Sequence, residues 1–106
     1  MNMNSSNTFG AYKLFFATLA NDSRLTILGI IRKEPKNLSE ICKITGFEQS
    51  MVSHNMKLLE YHGMVFVEKK GKFKYYSLNK NTIKPLLDLI DQHTNKYCCK
   101  ILEGKR

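Results

Sequence analysis

The chain lacks most of what would place it in several large classes of protein. No apolar run approaches the roughly 20 residues that a helix needs to cross a bilayer. Residues 1–7 also lack the basic-then-apolar order of a signal peptide. Both absences point to a cytoplasmic protein with no membrane partner. Cysteine is scarce: Cys42, Cys98 and Cys99 are too few for a disulfide scaffold. They read instead as buried apolar residues, metal ligands or redox groups. There is no Gly-rich phosphate loop, no clustered Ser/His/Asp set and no paired carboxylates. Ser53 and His54 are neighbours, but adjacent helical positions diverge, so they do not form a nucleophile and its base. An enzyme is not expected. Acidic residues are few as well, 9 against 17 Lys and Arg, for a net charge of +8. A positive field of that size attracts polyanions and speeds encounter with them. Nucleic acid is the economical partner, and an anionic membrane surface is the competitor.

What is present suits one folded unit. At 106 residues, 42% hydrophobic and 25% charged, the chain has enough for a single core and not for two. Residues 1–7 read as a disordered polar tail and 8–106 as one domain, with no internal repeats and no linker. Phe9, Tyr12, Phe15, Phe16, Leu19 and Ala20 have helical spacing, which predicts a first helix over 8–20. Asn21-Asp22-Ser23 supplies caps for a second, carrying Leu25, Ile27, Leu28, Ile30 and Ile31 and stopping before Pro35. Lys36 to Leu38 can add a short strand. Asn37 or Ser39 can cap a third helix, Asn37 and Glu40 having capping-box spacing, with Ile41 and Ile44 as its apolar face.

Gly46 then makes a turn, Phe47 is expected as a core anchor, and a fourth helix runs from Gln49 to His62. Met51, Val52, Met56, Leu58 and Leu59 are its buried side. Strands are expected at Met64–Glu68 and Phe73–Leu78, joined by the tip Lys69-Lys70-Gly71-Lys72. In the second strand Phe73, Tyr75 and Ser77 face one way and Lys74, Tyr76 and Leu78 the other. A last helix over 82–102 begins near Asn81 or Thr82; with Thr82 as its cap, Pro85 falls in the first turn. Ile83, Leu87, Ile90, Thr94, Tyr97 and Ile101 give that helix a coiled-coil-like seam. A domain of this size has few ways to cover two such terminal helices. They are expected to pack on a second copy through Phe9, Tyr12, Phe16, Ile83, Leu87, Ile90, Tyr97 and Ile101; the alternative is that both complete the monomer core.

A helix-turn-helix running straight into a basic hairpin is the plan of a winged helix, a mainly α (α+β) fold. Such units place the second helix of the pair in the major groove. Side chains near its start reach base edges, which selects Gln49, Ser50, Ser53, His54 and Lys57. Lys69, Lys70, Lys72 and Lys74 are expected on the wing, where each can neutralise a phosphate and add affinity without sequence choice. Double-stranded DNA is therefore the expected partner. A winged helix that docks on protein is the rival, and it would not need four lysines together.

From Leu19 to Leu78 the chain resembles the ArsR/SmtB family of metal- and stress-responsive repressors. The family's L-A-D-x-x-R-L-x-I-L appears as Leu19-Ala20-Asn21-Asp22-Ser23-Arg24-Leu25-Thr26-Ile27-Leu28. Its recognition-helix pattern S-x-S-T-V-S-x-H-L-x-x-L keeps Ser50, Val52, Ser53 and Leu59. The wing pattern is met by Gly63-Met64-Val65, Gly71 and Tyr75-Tyr76-Ser77-Leu78. The resemblance implies a homodimer joined by its first and fifth helices and a repressor released from its operator by an effector. Glu48 and Asn55 depart from the usual Ser and His, so an operator sequence cannot be borrowed from relatives.

The same resemblance frames the signal. Some members bind metalloids or soft metals through a Cys-Val-Cys pair at the third helix; the matching positions here are Asn37 and Ser39, with Cys42 just beyond. Others bind zinc between their fifth helices, but Asp91-x-His93 falls too late for that arrangement. Cys98 and Cys99 remain as ligands for arsenite or another thiophilic metal ion, with Cys42 a less favoured addition. The alternatives are redox or persulfide sensing, with Lys96 and Lys100 favouring thiolate, and cysteines with no sensory role.

Overall fold

A computed structural model of the chain describes the backbone of residues 5–98 and the side chains of residues 8–98. The element order is α1 (Ser5–Leu19), α2 (Asp22–Ile31), β1 (Lys36–Asn37), α3 (Leu38–Thr45), α4 (Gln49–Tyr61), β2 (Val65–Lys70), β3 (Phe73–Leu78) and α5 (Ile83–His93). A five-residue π-helical segment, Thr94–Cys98, continues α5. The strands form one antiparallel sheet in the order β1-β3-β2. This is a winged helix-turn-helix. No single helix among the described residues is long and apolar enough to cross a membrane.

Local chemistry explains most of the boundaries. The Asn21 side chain accepts from the Arg24 N–H (3.0 Å) and starts α2. At α3, Asn37 accepts from the Glu40 N–H (2.8 Å), and Glu40 in turn accepts from the Asn37 N–H (3.0 Å). That reciprocal box satisfies two donors that an helix start otherwise leaves unpaired. Gly46 ends α3 at φ 76°, a left-handed conformation that costs any residue with a Cβ, and its N–H donates to the Cys42 carbonyl (2.8 Å).

The boundaries depart from the sequence expectation by more than one residue at three elements. α1 begins at Ser5 and not Thr8, since no proline or glycine in 5–8 stops it propagating backwards. β2 extends to Lys70, so Lys69 and Lys70 are strand residues. The turn is Gly71-Lys72 alone, with Gly71 at φ 63° as a two-residue hairpin favours. The last helix does not run unbroken over 82–102: α5 stops at His93, where the Thr94 hydroxyl donates to the Asp91 carbonyl (3.2 Å) and competes with the helical pattern. Thr82 does not cap α5 with its side chain. Asn79 takes over that start, its carbonyl accepting from the N–H groups of Ile83 and Lys84 (3.0 Å each).

The core is continuous through the helices and the inner end of the sheet. Ile27, Leu28, Ile31, Ile41, Val52, Met56, Leu59, Met64, Val65, Leu78 and Ile83 are buried together with Leu19. Phe15, Leu38, Phe47, Tyr76, Leu86 and Leu87 pack against it from the edge. Ile83 was expected at the dimer seam, but its position at the first turn of α5 turns it into the monomer's own core, 2% exposed. Ile44 and Leu25, expected as core, face solvent. In α3 Ile41 is fully buried, with Leu38 and Cys42 packed against the core beside it, while Ile44 falls on the open side.

Arg32, at the end of α2, ties α5 to the body by ion pairs with Asp88 (2.5 Å) and Asp91 (2.8 Å), while Lys84 adds a second contact to Asp88 (3.1 Å). The hydrogen bond from Arg32, then that from Lys84, holds the Asp88 carboxyl below its ordinary value. A carboxylate with a lowered folded-state pKa stabilises the fold fully above its unfolded value, and that contribution is lost as pH falls through the lowered one. The melting temperature of Asp88→Asn is therefore expected to lie below that of the native chain at neutral pH. The gap should close as the pH is taken below the usual carboxylate range; a gap independent of pH would mean that the ion pair does not hold α5.

Candidate nucleic-acid interface

The helix pair α3–α4 is fixed by burial on one side only. Val52, Met56 and Leu59 of α4 have no solvent exposure, so the helix cannot rotate without pulling them from the core. Gln49, Ser50, His54 and Lys57 consequently face solvent, with Ser53 half-buried among them. Glu48 precedes α4 and makes no side-chain cap bond.

The wing has two unlike faces. In register, Val65 pairs with Leu78, Val67 with Tyr76 and Lys69 with Lys74, so these six share one face. At the body that face is buried valine and leucine; at the tip it is two opposed lysines. Burial pushes the Tyr76 phenol up, and nearby Glu60 adds to the shift. On the other face Lys70 lies over the Tyr75 ring (5.7 Å) and near Glu68 (3.9 Å).

Between α3, α4 and the wing lies a groove of about 480 Å³. Of the sequence-selected residues, Gln49, Ser53, Lys57, Lys72 and Lys74 line it. Ser50 and His54 are exposed on α4 outside its lining, and Lys69 and Lys70 stand further along the wing. Asn37 at the end of β1, Ser39 and Cys42 of α3 and Phe73 of the wing also line it, and sequence reasoning did not place them there. Alternation put Phe73 on the hairpin, yet nothing local says that a wing aromatic turns toward a helix. The arrangement offers cations, hydroxyls and an amide along an open trough, which suits a phosphodiester strand with base edges beside it.

The two described thiols stand on different elements. Cys42 is in the groove, Cys98 ends the π-helical segment, both half-buried, and Cys99 lies outside the described residues, as does Ile101. Among the described residues no group of three or more His, Cys, Asp or Glu is placed to hold a metal ion. Asp91 is engaged by Arg32, and the His93 ring stacks obliquely near Tyr97 (5.1 Å).

Residues 21–66 match the model of the bacterial regulatory protein, arsR family. The chain belongs to that family. It is 36% identical over 76 residues to the HTH-type transcriptional regulator NmtR of Mycobacterium tuberculosis, covering 72% of this chain and 63% of that protein's length. It is 29% identical over 103 residues to the arsenical resistance operon repressor of Bacillus subtilis, covering 93% of this chain and 90% of the relative. Among solved structures it is similar to a homodimeric winged helix-turn-helix DNA-binding domain of Mycobacterium bovis. That likeness has a TM-score of 0.76 at 20% identity and covers 92% of both chains.

A polyanion laid along this groove and wing meets Lys69, Lys70, Lys72 and Lys74 as point charges. Replacing all four by alanine is expected to weaken binding to any duplex DNA irrespective of sequence. Each lost phosphate contact should flatten the slope of log affinity against log salt by about 0.9. Fluorescence anisotropy across a salt series reads both; an unchanged slope would take the wing out of the interface.

Proposed function

We propose that this chain is a DNA-binding transcriptional regulator acting in the cytoplasm as a homodimer, released from its operator by a thiol-reactive effector. The observation that carries the reading is the single groove at which the polar face of α4 and the lysine wing meet, on a helix pair that belongs to the arsR family. Gln49, Ser50, Ser53, His54 and Lys57 serve base edges and nearby phosphates; the wing lysines hold the backbone.

Dimerisation is supported by surface that a monomer leaves open. Phe9 is 79% exposed, Tyr12 56%, Phe16 58% and Ile90 40%, with Tyr97 half-exposed beyond them. Aromatic and aliphatic area of this kind on two terminal helices is costly in water and calls for a cover. A second copy of the chain fits, since one interface then hides both helices of each subunit. Leu87, expected at the same seam, packs partly on its own core. In equilibrium sedimentation the native chain is expected to run as a dimer. Phe9→Glu with Phe16→Glu should run as a monomer and bind operator DNA roughly a hundredfold more weakly. A monomeric native chain would remove the dimer.

For the signal, Cys98, at the end of the π-helical segment, and its sequence neighbour Cys99 are the favoured ligands, and arsenite or another thiophilic ion the favoured effector. Supporting this, an arsenical resistance repressor is among the relatives, and thiols bind soft ions readily. Operator binding by the reduced protein, titrated with arsenite, zinc, cadmium, diamide and persulfide beside Cys98→Ser/Cys99→Ser, tests it. Release by arsenite or a soft metal, lost in the variant, is the expected result. Release by diamide or persulfide alone would make the chain a redox sensor, and indifference to all of them would leave a regulator without a thiol signal.

A further inference from the structure

We infer that Arg24 and Asn55 form a positioning link that sets the angle of α4 against α1, and through it the half-site spacing and operator discrimination of the dimer. The inference rests on the dimeric DNA-binding reading above.

Asn55 lies in the middle of α4 and is 6% exposed, a buried amide on a helix whose other inward residues are apolar. Its Oδ1 accepts from Arg24 Nη1 (3.2 Å), and its Nδ2 donates to Met51 Sδ (3.2 Å) one turn earlier. The same guanidinium donates from Nε to the Thr18 carbonyl (2.6 Å) and from Nη2 to the Ala17 carbonyl (3.4 Å). Those two oxygens belong to the last turn of α1, where carbonyls lack a helical partner and a cation is favoured. Arg24 itself stands in the first turn of α2, its backbone N–H held by the Asn21 cap. One side chain thus joins α1, α2 and α4.

The geometry of that joint is what distinguishes it from packing. Burial of Val52, Met56 and Leu59 holds α4 down, but apolar contact is non-directional and tolerates small rotations. A guanidinium is a rigid planar fork, so bonds from its separate nitrogens to two helices fix an angle between them. α1 carries the aromatic face assigned above to the dimer, and α4 carries the base-reading side chains. Helix-turn-helix dimers read half-sites about one helical turn apart. A tilt of α4 against α1 would displace the two recognition helices in opposite senses and miss that spacing. Asn55 faces away from the groove and does not contact DNA in this reading, so its effect acts through the position of Gln49, Ser50, Ser53 and His54.

The test uses the duplexes bound tightest when the native protein selects from a random pool. Affinity is measured for the selected duplex, a scrambled one, and versions with one base pair inserted or removed at the centre. Asn55→Leu and Arg24→Lys are each expected to cut the ratio of selected to scrambled affinity roughly tenfold. Scrambled-duplex affinity and the salt slope should stay native, and the spacing preference should broaden. Asn55→Asp keeps an acceptor facing Arg24 and is expected to keep the native ratio. The double variant Arg24→Lys/Asn55→Leu should be no worse than the worse single one. Native ratios in both single variants, an equal loss on both duplexes, or failure of Asn55→Asp as severe as that of Asn55→Leu would each overturn the link. Should Asn55→Leu not fold, Arg24→Lys and Asn55→Asp decide alone. A native protein with no salt-dependent binding to any duplex would remove the DNA-binding reading itself, an outcome visible before any variant is made.

Discussion

The seating of α4 on the core is the constraint from which the rest of the molecule follows. Val52, Met56 and Leu59 recur at helical spacing and are wholly enclosed. Burying a side chain of this size is worth roughly 1.5–3 kcal/mol. An exposed ion pair such as Lys36–Glu34 (2.6 Å) contributes far less, because water and salt screen it. The apolar side therefore decides how the helix lies, and the polar side has no freedom to choose its direction. Every α4 residue that could read DNA is placed by residues that never approach it.

Charge on the wing works against the fold that carries it. Lys69 and Lys74 are paired directly across the hairpin, an arrangement that like charges destabilise. The sheet tolerates it because the valine, tyrosine and leucine on the same face anchor the inner ends of both strands. A hairpin needed only for stability would gain by an acidic residue at either position. Keeping two opposed cations beside a groove that already holds Lys57 and Lys72 makes sense where a polyanion supplies the missing counter-charge.

The parts of this structure governed by local chemistry were legible in the sequence: the Asn37–Glu40 box, the turn at Gly46, the strand alternation, and α4 with its two sides. The parts that depend on where an element meets another were not. Ile83 and Ile90 belong to one periodic seam, yet one is core and the other is 40% exposed, because α5 leaves the body partway along its length. Ile44 is periodic with Ile41 but has nothing above it. Asn55 stood out only as a departure from a family pattern. Its burial and its bond to Arg24, far away in the chain, had no local signature, since a lone Asn in a helix is more often exposed. Phe73 and the α3 side chains joined the groove for the same reason: three elements had to be assembled before the trough existed.

α2 then takes on a meaning beyond that of a core helix. Its last turn leads to Arg32, which grips α5 through Asp88 and Asp91; its first turn holds Arg24, which grips α1 and α4. Between the two arginines runs one short helix of residues 22–31, pinned by three fully buried side chains, Ile27, Leu28 and Ile31. A helix of this length is about 15 Å of rigid rod. Its two ends are bound by directional contacts and its middle by the core. That sets the contacts to α5 and the contacts to α1 and α4 at opposite ends of a single stiff element.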